Sequence, residues 1–102
     1  NKERLKKIPD MFKNWDIFEA PNPCIPDSHC LYMTSSWINM NILSLDEKRI
    51  IVEKQEESII NSLKKWGFKP ILCNFRNFNT FGGSFHCAAL DVRRRGVLES
   101  YL

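Results

Sequence analysis

The stretch that decides the fold is residues 42–75, ILSLDEKRIIVEKQEESIINSLKKWGFKPILCNF. Its first part holds two short apolar runs, 42–45 and 49–52, on either side of the charged segment 46–48. Apolar runs separated by a segment of this length are typical of two antiparallel strands joined by a tight loop. Residues 42–52 therefore predict a β-hairpin.

The second part of the stretch predicts a helix followed by a strand. Residues 55–66 place apolar side chains on one helical face, with glutamates in the first turn, lysines in the last turn and Gly67 after the end. This is the pattern of an amphipathic helix. Residues 69–75 predict a third strand, in which Pro70 must lie near the start because it cannot donate to a ladder. The predicted order is strand, strand, helix, strand, and the fold class is α/β.

This unit is too small to cover both faces of its own sheet. One helix protects one face, and five aromatic residues are left without an obvious partner: Trp37, Phe75, Phe78, Phe81 and Phe85. Neighbouring units of the same kind would cover the second face, as in a propeller. We therefore expect a repeat architecture.

The pattern upstream of the hairpin is weaker. Residues 8–14 predict a short helix with a proline in its first turn, and residues 15–20 predict a short strand that ends at prolines. Residues 21–36 show no clear period and contain three prolines, two cysteines and one histidine. A loop of this length inside a compact domain is unusual unless it has a function. Its end carries Thr34 and Ser35, either of which could simply cap a helical turn.

The composition is that of a folded protein of modest size. Of 102 residues, 43% are hydrophobic and 26% are charged with both signs interleaved, so we expect one domain or one piece of a larger one. The chain begins with Asn1 rather than Met, within a charged helical pattern, and we therefore expect a fragment. No apolar run approaches the length of a membrane span, and a membrane is not an expected partner.

The net charge of +3 is concentrated at Arg93, Arg94 and Arg95. Because successive residues of an extended segment point to opposite faces, these arginines should not form one phosphate-binding stripe. Nucleic acid is therefore not an expected partner. The favoured interpretation is that the arginines pair with carboxylates or lie in solvent.

The four cysteines do not predict a metal site. Cys24, Cys30, Cys73 and Cys87 show neither a two-residue spacing nor a companion pair of histidines, so no zinc site is expected. The chain also lacks the cysteine density of a small secreted scaffold. A reducing compartment with free thiols is the favoured interpretation.

One cysteine stands in a segment suited to chemistry. Cys87 directly follows His86 and comes shortly after the flexible pair Gly82 and Gly83, and we predict an apolar strand after it. A cysteine in this position is either a nucleophile or a buried structural thiol, and the residues alone leave both open. In an extended segment His86 would point to the opposite face, so it is a poor candidate to activate the thiol.

Several separated motifs of the chain resemble the C-terminal part of glycine amidinotransferases. They agree with that family in order and spacing, and they are residues 26–29, 33–37, 40–49, 76–77, 82–87 and 91–96. The resemblance implies part of a five-bladed α/β propeller of ββαβ modules, the fold of the guanidine-modifying superfamily. Residues 1–102 would then be the C-terminal part of a single catalytic domain, with about one full blade and the end of the preceding one.

The resemblance also implies a chemistry. In the family, the cysteine at the position of Cys87 is the nucleophile, and its thiolate attacks the guanidinium carbon of arginine. Ornithine leaves, and an amine such as glycine then takes the amidino group from the sulfur. With glycine the product is guanidinoacetate, a compound of creatine biosynthesis. No metal and no organic cofactor is implied.

Two further site residues follow from the resemblance. Thr34 and Ser35 match paired hydroxyls that help to bind arginine in the family. The family's catalytic His and Asp lie in earlier blades, and neither His29 nor His86 matches that histidine. We therefore expect the rest of the same catalytic domain to complete the site, with small molecules as the other partners and a homodimer as an open alternative. The expected location is the cytoplasm, or the mitochondrion in a eukaryote.

Three alternatives stay open. Ser84 and residues 88–90 depart from the family pattern, so the acceptor could be another amine, such as an aminocyclitol phosphate. A related guanidine hydrolase would release citrulline in place of ornithine. A non-catalytic remnant or binding module would keep the blade and lack the chemistry.

Overall fold

A three-stranded sheet and one α-helix form the centre of the fold. The structure is a computed structural model, and it describes residues 8–31 and 34–96. The regular elements in chain order are β1 (Leu43–Ser44), β2 (Arg49–Glu53), α1 (Glu57–Lys65) and β3 (Lys69–Cys73). Within these ranges three 3-10 helices flank them, at Asp10–Phe12, Ser36–Met40 and Arg76–Phe81. The predicted order of strand, strand, helix, strand is confirmed.

The sheet has the order β1-β2-β3 and mixes both kinds of pairing. β1 runs antiparallel to β2, with Leu43 opposite Ile51. β2 runs parallel to β3, with Ile51 opposite Ile71. The parallel pair needs a crossover connection, and α1 provides it. The predicted hairpin is therefore present, although its first strand is only two residues long.

Asp46 fixes the hairpin loop. Its carboxylate accepts hydrogen bonds from the backbone N–H of Lys48 at 2.9 Å and of Arg49 at 2.6 Å, and from Arg49 Nε at 2.5 Å. The backbone N–H of Arg49, then that of Lys48, and then the Arg49 side chain lower the pKa of Asp46 from 3.8 to about 2. A loop held by its own side chain keeps the two strands in register.

The hydrophobic core lies between α1 and β2. Its buried members are Ile50, Val52, Ile59, Ile60 and Leu63, and Phe18, Ile42 and Phe68 pack against them. The helix therefore buries the apolar face that its sequence predicts, and Gly67 follows it with a φ of 95°, a conformation that favours glycine. Trp66, predicted on the same face, is more exposed but contacts Phe18 and Phe68 at ring distances of 5.0 and 5.8 Å.

Two predictions for the segment before the sheet need correction. Residues 15–20 form no strand, because no neighbouring strand pairs with their backbone in the described part of the chain; Phe18 instead packs its side chain onto the core. The end of a preceding blade is therefore not seen as a strand. The helix predicted at 8–14 is a single 3-10 turn, Asp10–Phe12, with no buried residue to hold a longer helix.

The third strand ends two residues earlier than predicted. Glu53 is 5% exposed, and its carboxylate accepts a hydrogen bond of 2.6 Å from the backbone N–H of Phe75. This bond turns the chain out of the sheet and into the 3-10 helix Arg76–Phe81. Phe75 then stacks against Phe78 and Phe85, both at 4.7 Å between ring centroids.

Part of the aromatic surface remains uncovered. Phe85 is buried, whereas Phe81 is 81% exposed and Trp37 is 46% exposed. The prediction that the single helix leaves aromatic side chains uncovered is therefore confirmed for Phe81 and Trp37 but not for Phe85. In the described ranges, no helix is long and apolar enough to cross a membrane.

Candidate active site

Cys87 lies in a tight turn that follows the 3-10 helix Arg76–Phe81. The backbone N–H of Ala88 donates to Ser84 O at 2.9 Å, and that of Ala89 donates to His86 O at 3.2 Å. The predicted extended conformation at His86 and the predicted apolar strand after Cys87 are therefore both wrong. The turn leaves Cys87 exposed, which favours the nucleophile over the buried thiol.

Glycine is required at each of the two positions before this turn, but for different reasons. Gly82 ends the 3-10 helix with a φ of 83°, in the left-handed region that other residues resist. Gly83 is needed for space, because a Cβ there would lie 2.8 Å from Cys87 Cβ and 3.6 Å from Cys87 Sγ. Gly83 therefore permits the close approach of the backbone to Cys87.

Asn41 joins this turn to the beginning of the sheet. Its Oδ1 accepts hydrogen bonds from the backbone N–H of His86 at 2.9 Å and of Cys87 at 3.1 Å. Its Nδ2 donates to Cys87 Sγ at 2.7 Å. Asn41 could not be identified from the sequence, because one polar residue between Met40 and Ile42 carries no periodic signal. Only its position inside a shared motif could have drawn attention to it.

Thr34 is joined to the 3-10 helix that precedes this turn, whereas Ser35 bonds within its own segment, and neither makes a hydrogen bond with Cys87. Thr34 Oγ1 donates to Asn79 O at 2.8 Å, in the 3-10 helix that leads to Cys87. Ser35 Oγ accepts from the backbone N–H of Trp37 at 3.2 Å and caps the 3-10 helix Ser36–Met40. The capping role is therefore confirmed for Ser35. Thr34 instead bonds to Asn79, a residue distant in sequence, and this contact could not be predicted from the sequence.

Arg76 and Glu56 form a buried ion pair. Arg76 is 5% exposed and Glu56 is 2% exposed, and Arg76 Nη2 donates to Glu56 Oε1 at 3.1 Å. The second oxygen of Glu56 accepts from Cys24 N at 2.8 Å and from Asn39 Nδ2 at 3.4 Å. Arg76 Nη2 also donates to Cys24 O at 3.3 Å. One carboxylate at the start of α1 therefore holds the proline-rich loop and two 3-10 helices together.

The ion pair between Glu56 and Arg76 could not be predicted from the sequence. The sequence pattern places Glu56 in the first turn of the predicted helix, where a glutamate normally interacts with the helix dipole in solvent; in the structure Glu56 is the N-cap residue of α1. Arg76 lies in one of the motifs that resemble the family, but the resemblance implies no role for it. A sequence pattern does not show that the two side chains meet, because burial of a charge depends on tertiary packing.

The arginine run lies near the hairpin loop. Arg94 donates to Asp91 Oδ2 at 2.6 Å and to Ser44 O at 2.8 Å, and so attaches the last described segment to β1. The side-chain hydrogen bond from Arg94 lowers the pKa of Asp91, and the same bond raises the pKa of Arg94. Pairing with a carboxylate is therefore confirmed for Arg94.

All three arginines line one open groove of about 900 Å³. The other residues that line it are Leu45, Asp46, Glu47, Lys48, Arg49 and Lys69. Among the described residues, no cluster of His, Cys, Asp and Glu could hold a metal ion.

Curated relatives of this chain are amidinotransferases. The chain is 65% identical over 102 residues to the L-arginine:L-lysine amidinotransferase of Pseudomonas savastanoi pv. phaseolicola, and covers 28% of that protein. It is 47% identical over 94 residues to the mitochondrial glycine amidinotransferase of Xenopus laevis, which involves 90% of the chain and 22% of that protein. No protein-family model matches the chain.

Solved structures give the same result. SxtG, an amidinotransferase of the saxitoxin biosynthetic pathway from Microseira wollei, superimposes with a TM-score of 0.87 at 52% identity, over 96% of this chain and 27% of that one. The inosamine-phosphate amidinotransferase StrB1 of Streptomyces griseus superimposes with a TM-score of 0.71 at 32% identity, over 94% of this chain and 28% of that one. The homologues of this chain are therefore amidinotransferases, which are transferases, and the chain spans 22–28% of their lengths.

Proposed function

We propose that residues 1–102 are part of the catalytic domain of an arginine-dependent amidinotransferase in which Cys87 is the nucleophile. One observation carries the proposal: the exposed Cys87 lies in a tight turn whose backbone and sulfur are both held by Asn41. A thiol that is accessible and also fixed in place suits attack on a bound substrate. The amidinotransferase homologues give the class of reaction.

The proposed reaction has two steps that share one sulfur. The Cys87 thiolate attacks the guanidinium carbon of arginine, the bond from that carbon to arginine Nε breaks, and that nitrogen, now the side-chain amine of ornithine, takes a proton from a general acid as it leaves. The amidino group is then held as a thioether. The acceptor amine attacks the same carbon and gives its proton to the base, and the C–S bond breaks to restore the thiolate.

Thr34 and Ser35 are proposed to bind arginine. Thr34 already uses its hydroxyl proton on Asn79 O, so its oxygen has lone pairs left to accept hydrogen bonds from a cationic substrate group. Ser35 accepts from the N–H of Trp37, so its own O–H proton can be donated to a carboxylate. The two hydroxyls would then recognise opposite charges of one amino acid.

Glycine is the acceptor that the sequence resemblance predicts, and its product would be guanidinoacetate. L-lysine is a second candidate, because the relative that is 65% identical is named for L-lysine whereas the relative at 47% is named for glycine. Both acceptors present a primary amine to the same amidino-thioether.

We further propose that the ββαβ unit is one blade of a five-bladed propeller. The support is its element order and its likeness to two solved amidinotransferases. The remaining blades, the general acid–base group and the carboxylates for the guanidinium would come from the rest of the domain.

The test uses the full-length protein that carries this segment. With arginine and either glycine or L-lysine, we expect ornithine and the amidinated acceptor, and with arginine alone we expect Cys87 to gain the mass of one amidino group. Cys87→Ser should lose both signals, whereas Cys73→Ser, at another exposed cysteine, should keep them. Residues 1–102 alone should show no turnover.

Three outcomes would contradict the proposal. An active Cys87→Ser variant would exclude Cys87 as the nucleophile. Release of citrulline in place of ornithine would assign a hydrolase. A full-length protein that neither forms the adduct nor releases ornithine would leave a binding module that lacks the chemistry.

A further inference from the structure

We propose that Asn41 is a further catalytic residue, whose side-chain N–H donates to the Cys87 sulfur throughout the reaction. The proposal rests on the function proposed above, because it takes Cys87 as the reacting group. It concerns a residue to which neither the sequence motifs nor the relatives' names assign a role.

The three contacts of Asn41 fix which end of its amide faces the sulfur. The backbone N–H groups of His86 and Cys87 are donors, at 2.9 and 3.1 Å, and both need the amide oxygen. The amide nitrogen must then lie on the other side, where it is 2.7 Å from Sγ. An asparagine nitrogen carries only donors, so the sulfur acts as the acceptor.

A fixed donor at the sulfur is useful at both ends of the reaction. The sulfur carries negative charge before it attacks, and it regains that charge when the acceptor amine displaces it. A pre-oriented N–H stabilises charge where it develops without reorganisation of solvent. The same side chain holds the backbone of residues 86 and 87, so the donor and the sulfur move as one unit.

A purely structural role predicts a different response to mutation. Asn41→Asp keeps an oxygen for the two backbone N–H groups but places a carboxylate oxygen beside the sulfur. Asn41→Ala removes every contact without adding a charge. If Asn41 only held the turn, the Asp variant would lose rate only through repulsion between its carboxylate and the sulfur, and the Ala variant, which loses the contacts that hold the turn, would be the slower of the two. If the N–H acts on the sulfur, the Asp variant is the worse of the two.

The experiment measures the rate at which iodoacetamide alkylates Cys87 in the full-length protein at pH 8, followed by peptide mass spectrometry. We expect the order wild type, then Asn41→Ala, then Asn41→Asp. The Ala variant should be about 10- to 100-fold slower than wild type, the range for loss of one hydrogen bond to a charged group. Asn61→Asp, at an exposed position of α1, adds the same charge elsewhere and should match wild type.

The amidino-transfer rates should follow the same order. An Asp variant that reacts like wild type, or three equal rates, would overturn the role of Asn41. Alkylation does not require arginine. If the alkylation rates follow the expected order but the wild-type protein transfers no amidino group, only the proposed function is refuted.

A measurement on the unmutated protein does not depend on whether the variants fold. The side-chain NH₂ resonances of ¹⁵N-labelled Asn41 should shift when Cys87 is alkylated, because the hydrogen-bond acceptor changes. Resonances that stay in place would also overturn the proposal.

Discussion

Replacement of Glu56 by glutamine tests the ion pair behind the candidate site. The change keeps the size of the side chain and removes its charge. Both oxygens of Glu56 accept hydrogen bonds, one from Arg76 and the other from Cys24 N and Asn39 Nδ2. A glutamine has only one oxygen, so either orientation of its amide places an NH₂ group against a donor.

The size of the effect follows from burial. Arg76 and Glu56 have side-chain exposures of 7% and 2%, and removal of one partner of a buried pair leaves the other charge without compensation. We therefore expect the free energy of unfolding to fall by about 3–5 kcal/mol. Asp10→Asn removes the same charge from the ion pair with Lys13, whose side chains are 89% and 65% exposed. That variant should unfold like wild type, because exposed pairs contribute little.

Guanidinium chloride denaturation of the full-length protein measures both variants. The double variant Glu56→Gln with Arg76→Met should recover part of the loss, because the uncompensated guanidinium is gone and the amide oxygen can face Cys24 N. A Glu56→Gln variant that unfolds within about 1 kcal/mol of wild type, below the range for a broken buried pair, would refute the stabilising role of Glu56. A double variant that shows the full sum of the two single losses would refute the coupling between Glu56 and Arg76.

Two further predictions concern the turn at Cys87 and the hairpin loop. Gly83→Ala must displace the backbone near Cys87, since its Cβ would lie 2.8 Å from Cys87 Cβ; we expect a loss of about 1–3 kcal/mol in denaturation. Gly96→Ala, which has nothing within 4 Å, is the matched control, and equal midpoints for the two would contradict the packing argument. Asp46 should titrate at about 2 rather than 3.8 by carboxyl-carbon NMR. Because its folded pKa lies below its unfolded pKa, its contribution to stability is present above pH 3.8 and is lost as the pH falls towards 2. Arg49→Gln removes the side-chain hydrogen bond and the smaller coulombic attraction of Arg49 but keeps the two larger causes, the backbone hydrogen bonds, so the midpoint should stay below 3.8; a midpoint at or above that value would contradict the assignment.

The central unit could be predicted from sequence because its signals are local. The helical face of Ile59, Ile60 and Leu63, the glycine after α1 and the charged hairpin loop each occupy a few consecutive residues. Residues 15–20 gave a false signal, since an apolar segment can pack its side chains onto a core without a strand partner. The conformation at Cys87 was also missed, because the turn from Ser84 to Ala89 depends on contacts with Asn41.

The candidate site was predicted only in part for the same reason. Cys87 and the glycine pair stand together in the sequence, so their combination can be recognised. Asn41 lies 46 residues from Cys87, and Glu56 lies 20 residues from Arg76. Contacts at such separations leave no period and no spacing rule, and only the folded chain brings them together.

The separation of these contacts along the chain bears on the order in which the molecule folds. The sheet joins β1 to β2 and β2 to β3, which are neighbours in sequence, whereas Arg76 and Cys24 close a loop of 52 residues. Long loops cost more entropy to close, and local contacts form faster. We therefore expect the hairpin and the crossover helix to form before Asn41 captures the turn at Cys87. The sheet and the helix would then form first, and the contacts that hold Cys87 in its turn would form last. In the native state, local opening should break those contacts before it breaks the sheet.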